Sequence, residues 1–177
     1  MKVLALDRDG VINFDSDNYI LTHENWHPIP GSLEAIKKAN RHGFTIVVVS
    51  NQSALGRNML DTNAFHQINR KFVTKLKEFG GYIDLYLVCP HTPEQNCNCR
   101  KPRTGLFDTL ANLLKVDLTK IIFIGDKISD VLAAENIGAK SFLVETGKVL
   151  DKNNEKFIRF KNLASAIDHT IQNYENY

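Results

Sequence analysis

The sequence contains no apolar run near the ~20 residues that a helix needs to cross a bilayer, and no leader-like apolar stretch behind a basic start. Met1 leads straight into strand-like sequence, so the expected location is the cytoplasm, with no membrane partner. Net charge is nearly absent too: 22 Lys and Arg against 20 Asp and Glu leave +2 at neutral pH. That balance provides no broad electrostatic footprint for nucleic acid. Cysteine is scarce, and Cys89, Cys97 and Cys99 all fall within one short segment. In a reducing compartment, cysteines clustered in this way bind metal more often than they pair with each other. Internal repeats and low-complexity tracts are missing as well, which sets aside a repeat array.

What is present is an ordinary globular composition, 43% hydrophobic and 24% charged over 177 residues. This length suits one domain over residues 1–177 with a sizeable core, expected to be a monomer. Apolar β-branched runs alternate with amphipathic segments, the signature of βαβ units around a parallel sheet flanked by helices. Strands are predicted near 2–6, 44–49, 83–88, 121–125 and 141–144, and helices over 32–42, 61–79, 104–115, 129–137 and 162–173. The runs Thr45–Val49 and Ile121–Ile124 are continuous rather than alternating, as in strands covered on both faces. Ser32 and Asp61 are candidate N-caps, and Gly43 and Gly138 candidate glycines just past helix ends. Residues 147–161 read as a polar surface connection. The stretches 13–31 and 89–103 are long for this architecture and follow predicted strands, which makes them candidate site walls.

Each predicted strand runs into distinctive polar residues at its carboxyl end. The first gives Asp7-Arg8-Asp9-Gly10, the second Ser50-Asn51-Gln52-Ser53, the third a loop ending in Arg100-Lys101-Pro102, and the fourth Gly125-Asp126-Lys127 with Asp130 beyond. Alone, Asp-x-Asp-Gly could be an ordinary turn. In a parallel sheet, however, these ends share one edge, so the groups can meet. Paired carboxylates repel unless a cation lies between them. A metal ion with one aspartate attacking and the other moving a proton accounts for the pair. Phosphoryl transfer fits best: a phosphate dianion repels a carboxylate nucleophile, so a hard cation such as Mg²⁺ and a fixed lysine are needed.

The series Asp7-Arg8-Asp9-Gly10-Val11, Ser50-Asn51-Gln52-Ser53, Lys101 and Gly125-Asp126-Lys127-x-x-Asp130 resembles the four motifs of the haloacid dehalogenase (HAD) superfamily. More narrowly it is similar to the D-glycero-D-manno-heptose-1,7-bisphosphate 7-phosphatases and the related histidinol-phosphate phosphatases, over about residues 2 to 148. The resemblance implies a Rossmann-like core with a minimal cap. It implies that Asp7 is the nucleophile forming an aspartyl-phosphate, and that Asp9 is the acid and then the base. Asp7, Asp126 and the backbone carbonyl of Asp9 would hold Mg²⁺, oriented by Asp130. Ser50 and Lys101 would stabilise the transferred phosphoryl group. Arg100 and Lys127, with Asn51, Gln52, Ser53, Asp15 and Tyr19, fall where substrate contacts are expected. For Asp9 to act as an acid it must keep its proton near neutral pH, which a neighbouring carboxylate and partial burial would favour. Two positions depart from the pattern: Val11 stands where many relatives carry Thr, and Asn58 where they often carry Gly.

Cys89, His91, Cys97 and Cys99 supply three thiolates and an imidazole, a donor set suited to tetrahedral structural Zn²⁺. The same pattern marks the heptose and histidinol phosphatases. Pinning this loop would fix Arg100 and Lys101 just beyond it. Arg100, Lys101, Arg103 and Lys127 offer more positive charge than one monoester needs, which suits a sugar bisphosphate. Through the family this implies the C7 phosphate of a heptose 1,7-bisphosphate, on the way to nucleotide-activated heptose for lipopolysaccharide or another bacterial glycan. Histidinol phosphate remains open through Asp15, Asp17 and Trp26, which could suit its ammonium and imidazole. A polynucleotide 3′-phosphatase ranks lower for want of a basic groove. A zinc-stabilised binding module would leave the intact Asp7, Asp9, Lys101 and Asp126 set without a cause.

Overall fold

Six parallel strands form one sheet in the order β3-β2-β1-β4-β5-β6. They are β1 (Lys2–Leu6), β2 (Phe44–Asn51), β3 (Leu85–Cys89), β4 (Ile122–Gly125), β5 (Lys140–Val144) and β6 (Arg159–Phe160). These elements come from a computed structural model that describes residues 1–147 and 157–176. Helices α1 (Ser32–Arg41), α2 (Ser53–Gly56), α3 (Thr62–Glu78), α4 (Gly105–Leu114), α5 (Ile128–Asn136) and α6 (Leu163–Asn173) connect or follow the strands. No helix among the described residues is long and apolar enough to cross a membrane.

The period-two geometry of a strand sends successive side chains to opposite faces, and the core divides accordingly. Leu4, Leu6, Ile46 and Val48 face Leu33 and Ile36 of α1, Phe72 of α3 and Ile167 of α6. Val3, Ala5, Val47 and Val49 face Phe107 and Leu110 of α4 and Ala133 and Ala134 of α5. Both faces of the central strands are thus covered, which is why their sequences are continuously apolar. The strand order reverses direction at β1 and β4, and the crevice beyond such a switch point is where doubly wound sheets bind ligands.

The predicted elements match to within a few residues, with instructive exceptions. Asp61 caps α3 by accepting from Ala64 N, and Gly43 and Gly138 take positive φ values of 78° and 70°. Ser32, predicted to cap α1, instead lies in its first turn. Gly31 is the N-cap at φ 83°, and Ser32 Oγ donates to Ile12 O at 2.6 Å, closing the two ends of the 13–31 loop on each other. The short α2 and the two-residue β6 carry too few residues for a periodic signal. Within the predicted 147–161 connection, Arg159–Phe160 pairs with β5, while 148–156 lie outside the described residues.

Candidate active site

Asp7 follows β1 and Asp126 follows the neighbouring β4, so the parallel pairing brings the two carboxylates together across the switch point. With Asp130 they form a buried group in which one carboxylate oxygen from each residue lies within 4.8 Å of the other two. Lys101 arrives from the long loop after β3. Its ammonium donates to Asp7 Oδ1 (2.9 Å) and Val49 O (2.7 Å), pairs with Asp130 Oδ1 (2.8 Å), and lies 5.0 Å from the centre of the Phe123 ring. Asn51 sets the backbone of Lys101, accepting from its N–H at 3.1 Å and donating to its carbonyl at 3.2 Å. Asp130 Oδ2 accepts from the backbone N–H groups of Asp126 and Lys127, both at 3.1 Å. Asp130 therefore shapes the turn that presents Asp126.

Glycine makes the approach possible. Gly10 has φ +89°, and a Cβ there would sit 2.4 Å from Asp126 Oδ2. A Cβ on Gly125 would meet the Asp130 side chain at 2.3 Å. Any side chain at either position would displace a carboxylate.

Asp126 is fully buried, yet neither of its carboxylate oxygens has a hydrogen-bond partner among the described residues. Among the described residues the nearest cation is Lys127, at 3.8 Å from Oδ2. Buried oxygens in this state are costly unless a cation or a ligand satisfies them. Burial and the neighbouring Asp7 push the Asp126 carboxyl up to about 8. Burial also raises Asp7, against the lowering pull of Lys101. Burial opposes the charge on Lys101, but Asp130 and Asp7 outweigh it and hold its pKa above the ordinary lysine value. With all three acids ionised, Asp7, Asp126 and Asp130 exceed Lys101 and Lys127, the ammonium groups facing them among the described residues, by one negative charge, and a divalent cation would turn that excess positive. Asp7 and Asp126 are thus placed to hold a hard cation with oxygen ligands.

Asp9 behaves differently from the sequence-based expectation. Burial would raise its pKa, but the Arg8 guanidinium and hydrogen bonds from Arg8, Asn13 and Gln52 outweigh burial and hold it below the usual carboxylate range. In this state Asp9 is an ionised group clamped by donors, not a carboxyl retaining its proton.

A cavity of about 320 Å³ opens over this centre, and its lining includes Asp9, Asp15, Tyr19, Asn51, Gln52, Ser53, Arg100, Lys101 and Lys127. All the predicted substrate contacts therefore meet in one place. Tyr19 holds its place in the wall with φ 60°. Lys127 pairs with Asp15 across the cavity at 3.2 Å. Ser50 is buried, and its hydroxyl accepts from Gln52 Nε2 at 2.9 Å. Arg103, counted from sequence as a spare cation, does not face the cavity. Its guanidinium donates to the carbonyls of Asn96 and Cys97 and to the Asn96 side chain. Trp26 is fully buried and packs 5.5 Å from Phe72, so it contacts core rather than ligand.

The cysteine loop forms a second donor cluster. Cys89, at the end of β3, lies 3.6 Å from Cys97, 3.3 Å from Cys99 and 3.7 Å from His91 Nδ1. Cys99 lies 3.4 Å from Cys97 and 3.2 Å from His91 Nδ1. Donors about 2.0–2.3 Å from a central ion span tetrahedral edges of about 3.3–3.8 Å, so the four atoms fit Zn²⁺. Burial pushes the Cys89 thiol up to about 12, which a cation would have to reverse to obtain a thiolate. Arg100 Nη1 donates to His91 O at 3.1 Å, linking this cluster to the cavity wall.

Fold and site together define a phosphatase of the HAD-like hydrolases, and the model of a family described as HAD-hydrolase-like matches residues 98–171. A D-glycero-β-D-manno-heptose-1,7-bisphosphate 7-phosphatase from Pseudomonas putida is 41% identical over 148 residues, covering 84% of this chain and 85% of the relative. The enzyme of the same name from Helicobacter pylori is 36% identical over 168 residues, covering 94% and 95%. The crystal structure of D,D-heptose 1,7-bisphosphate phosphatase from B. bronchiseptica, complexed with magnesium and phosphate, superposes with a TM-score of 0.92. It is 36% identical and covers 97% of this chain and 99% of that one. The chain belongs to the family of the heptose-1,7-bisphosphate 7-phosphatases.

Proposed function

We propose that this protein hydrolyses the C7 phosphate of D-glycero-β-D-manno-heptose 1,7-bisphosphate with Mg²⁺ as cofactor. The observation that carries the reading is Asp126, buried with neither oxygen hydrogen-bonded among the described residues, beside Asp7 and Lys101 at one sheet edge. Asp7, Asp126 and the Asp9 carbonyl would hold the Mg²⁺, which when bound neutralises charge and lets a dianionic ester approach a carboxylate. Asp7 attacks phosphorus while Lys101 and the Ser50 hydroxyl stabilise the equatorial oxygens. Asp9, ionised while all its donors hold it, takes up a proton from solvent as an incoming ligand displaces one of them, gives that proton to the departing alcohol oxygen, then takes one from the water that opens the aspartyl-phosphate. Arg100 and Lys127 provide positive charge in the wall for the second phosphate, and Asp15, Tyr19 and Ser53 provide polar groups for the sugar. Zn²⁺ held by Cys89, His91, Cys97 and Cys99 would have a structural role, fixing the loop that delivers Arg100 and Lys101.

One feature argues against histidinol phosphate: Trp26 is sealed in the core, so it offers no face to an imidazole. The test is phosphate release, with and without Mg²⁺, from both heptose bisphosphate anomers, histidinol phosphate and a 3′-phosphorylated oligonucleotide. The β anomer is expected to give the highest kcat/KM, and only with Mg²⁺. Faster turnover of histidinol phosphate would overturn the substrate assignment.

A further inference from the structure

Arg8 stands between the two aspartates, 1% exposed, and the reaction outlined above gives it no task. Its guanidinium grips both oxygens of Asp9, Nε to Oδ1 at 2.8 Å and Nη2 to Oδ2 at 2.9 Å. The fork is itself anchored. Nη2 also donates to Gln52 Oε1 at 3.0 Å, and Nη1 to the Tyr86 hydroxyl at 3.3 Å. Asn13 adds a bond to Oδ1 at 2.8 Å, and Gln52 Nε2 one to Oδ2 at 2.7 Å. A carboxylate offers about four lone-pair sites, so Asp9 must surrender one of these bonds to carry a proton. Asn13 is fully buried, whereas Gln52 lines the cavity and has Ser50 as a second acceptor. The Gln52 bond is the one an incoming ligand can replace. Arg8, held at both ends of its fork, is the fixed point that keeps the plane of Asp9 during the exchange.

We propose that Arg8 is a positioning residue that aims the Asp9 carboxyl at the leaving oxygen of the substrate, a role that rests on the acid–base assignment of Asp9 above. In that step a bond forms between an Asp7 oxygen and phosphorus, the ester P–O bond breaks, and the Asp9 proton passes to the departing oxygen. Lysine would supply the charge of Arg8 but not its planar two-point grip.

The test compares kcat/KM on the heptose bisphosphate and on p-nitrophenyl phosphate, both with Mg²⁺. This ratio reports events up to departure of the alcohol, and nitrophenolate departs without a proton. Arg8→Lys and Arg8→Met should each lose about 100-fold on the sugar ester and less than about 5-fold on the aryl ester, the scale of a misaligned acid. Equal losses on both esters would mean a merely structural role and overturn the proposal, as would native activity of Arg8→Lys on the sugar ester. If circular dichroism shows that the Arg8 variants do not fold, Tyr86→Phe loosens the fork from behind. It should lower the sugar-to-aryl ratio about 3-fold, within the span of a weakened positioning contact, and an unchanged ratio overturns the proposal. Asp9→Asn should show the same bias more strongly; without that bias, the acid role of Asp9 and the positioning role of Arg8 both fall. A native protein that releases no phosphate from any of these esters would instead defeat the reading of the protein as a phosphatase.

Discussion

Lys101 and Asp130 form an ion pair of 2.8 Å in which both side chains are almost wholly removed from water. Removing one partner leaves an uncompensated buried charge, which costs about 3–5 kcal/mol. Lys101→Met is therefore expected to lower stability by that amount and Asp130→Asn by less, because Lys101 retains Asp7. In the double variant the losses should fall well short of additivity. Urea unfolding of the four proteins measures the coupling.

Asp7→Asn keeps the shape of the nucleophile and removes its charge. The variant should fold normally, with a melting temperature equal to or above that of the metal-free native protein, since one member of a repelling group is gone. Turnover of any phosphate ester should vanish. Measurable Mg²⁺-dependent phosphate release by a pure Asp7→Asn preparation would contradict the nucleophile assignment.

Metal-free protein should lose stability as the pH rises. The Asp126 carboxyl is held near 8 in the fold against an ordinary value of 3.8, so between those limits the folded chain binds a proton that the unfolded chain has released. Stability then falls with pH by up to about 1.4 kcal/mol per pH unit for one such group. Burial raises Asp7 in the same direction. Saturating Mg²⁺ should flatten the slope, and Asp126→Asn should flatten it without metal while abolishing the response to Mg²⁺. Thermal melting from pH 5 to 8.5, with and without Mg²⁺, gives the comparison.

Stripping the cysteine cluster should affect stability and substrate affinity together. Chelation, or Cys99→Ser, frees the loop that carries Arg100 and Lys101. The expected result is a lower melting temperature and a KM raised about 10-fold, comparable to losing an outer-sphere support of a metal ligand. Zinc content by elemental analysis should be about one per chain for a four-donor site. A zinc-free protein with native KM would rule out the structural role.

What could be read from the sequence follows from how strongly each signal is set by local physics. The strands were legible because burial on both faces demands unbroken apolar runs such as Thr45–Val49. The acidic residues at their ends stood out because they recur with other polar groups at strand after strand along one sheet edge, which ordinary turns do not require. Asn58, one of the two departures from the family pattern, takes φ 55°, a left-handed conformation that asparagine tolerates better than most residues. The substitution Asn58→Gly should accordingly change stability little. Partnerships across the sheet were not legible. Nothing local reveals that Asn51 serves the backbone of Lys101, or that Arg103 braces the cysteine loop rather than the cavity. Arg8 was the largest omission, since an arginine between two aspartates reads as a solvated turn until its burial is seen. The expectation that Asp9 keeps its proton failed for the same reason, because the neighbour that decides its charge is Arg8.

Lys101 meets Asp7 across 94 positions of sequence, and Asp126 completes the group only after β4 has docked beside β1. A chain emerging from the ribosome possesses its nucleophile from the first strand but lacks the opposing carboxylate until four strands have been synthesised. Catalysis is therefore an all-or-nothing readout of complete sheet assembly. Regain of phosphate release during refolding should trail every spectroscopic sign of helix formation, because contacts this distant along the chain close last.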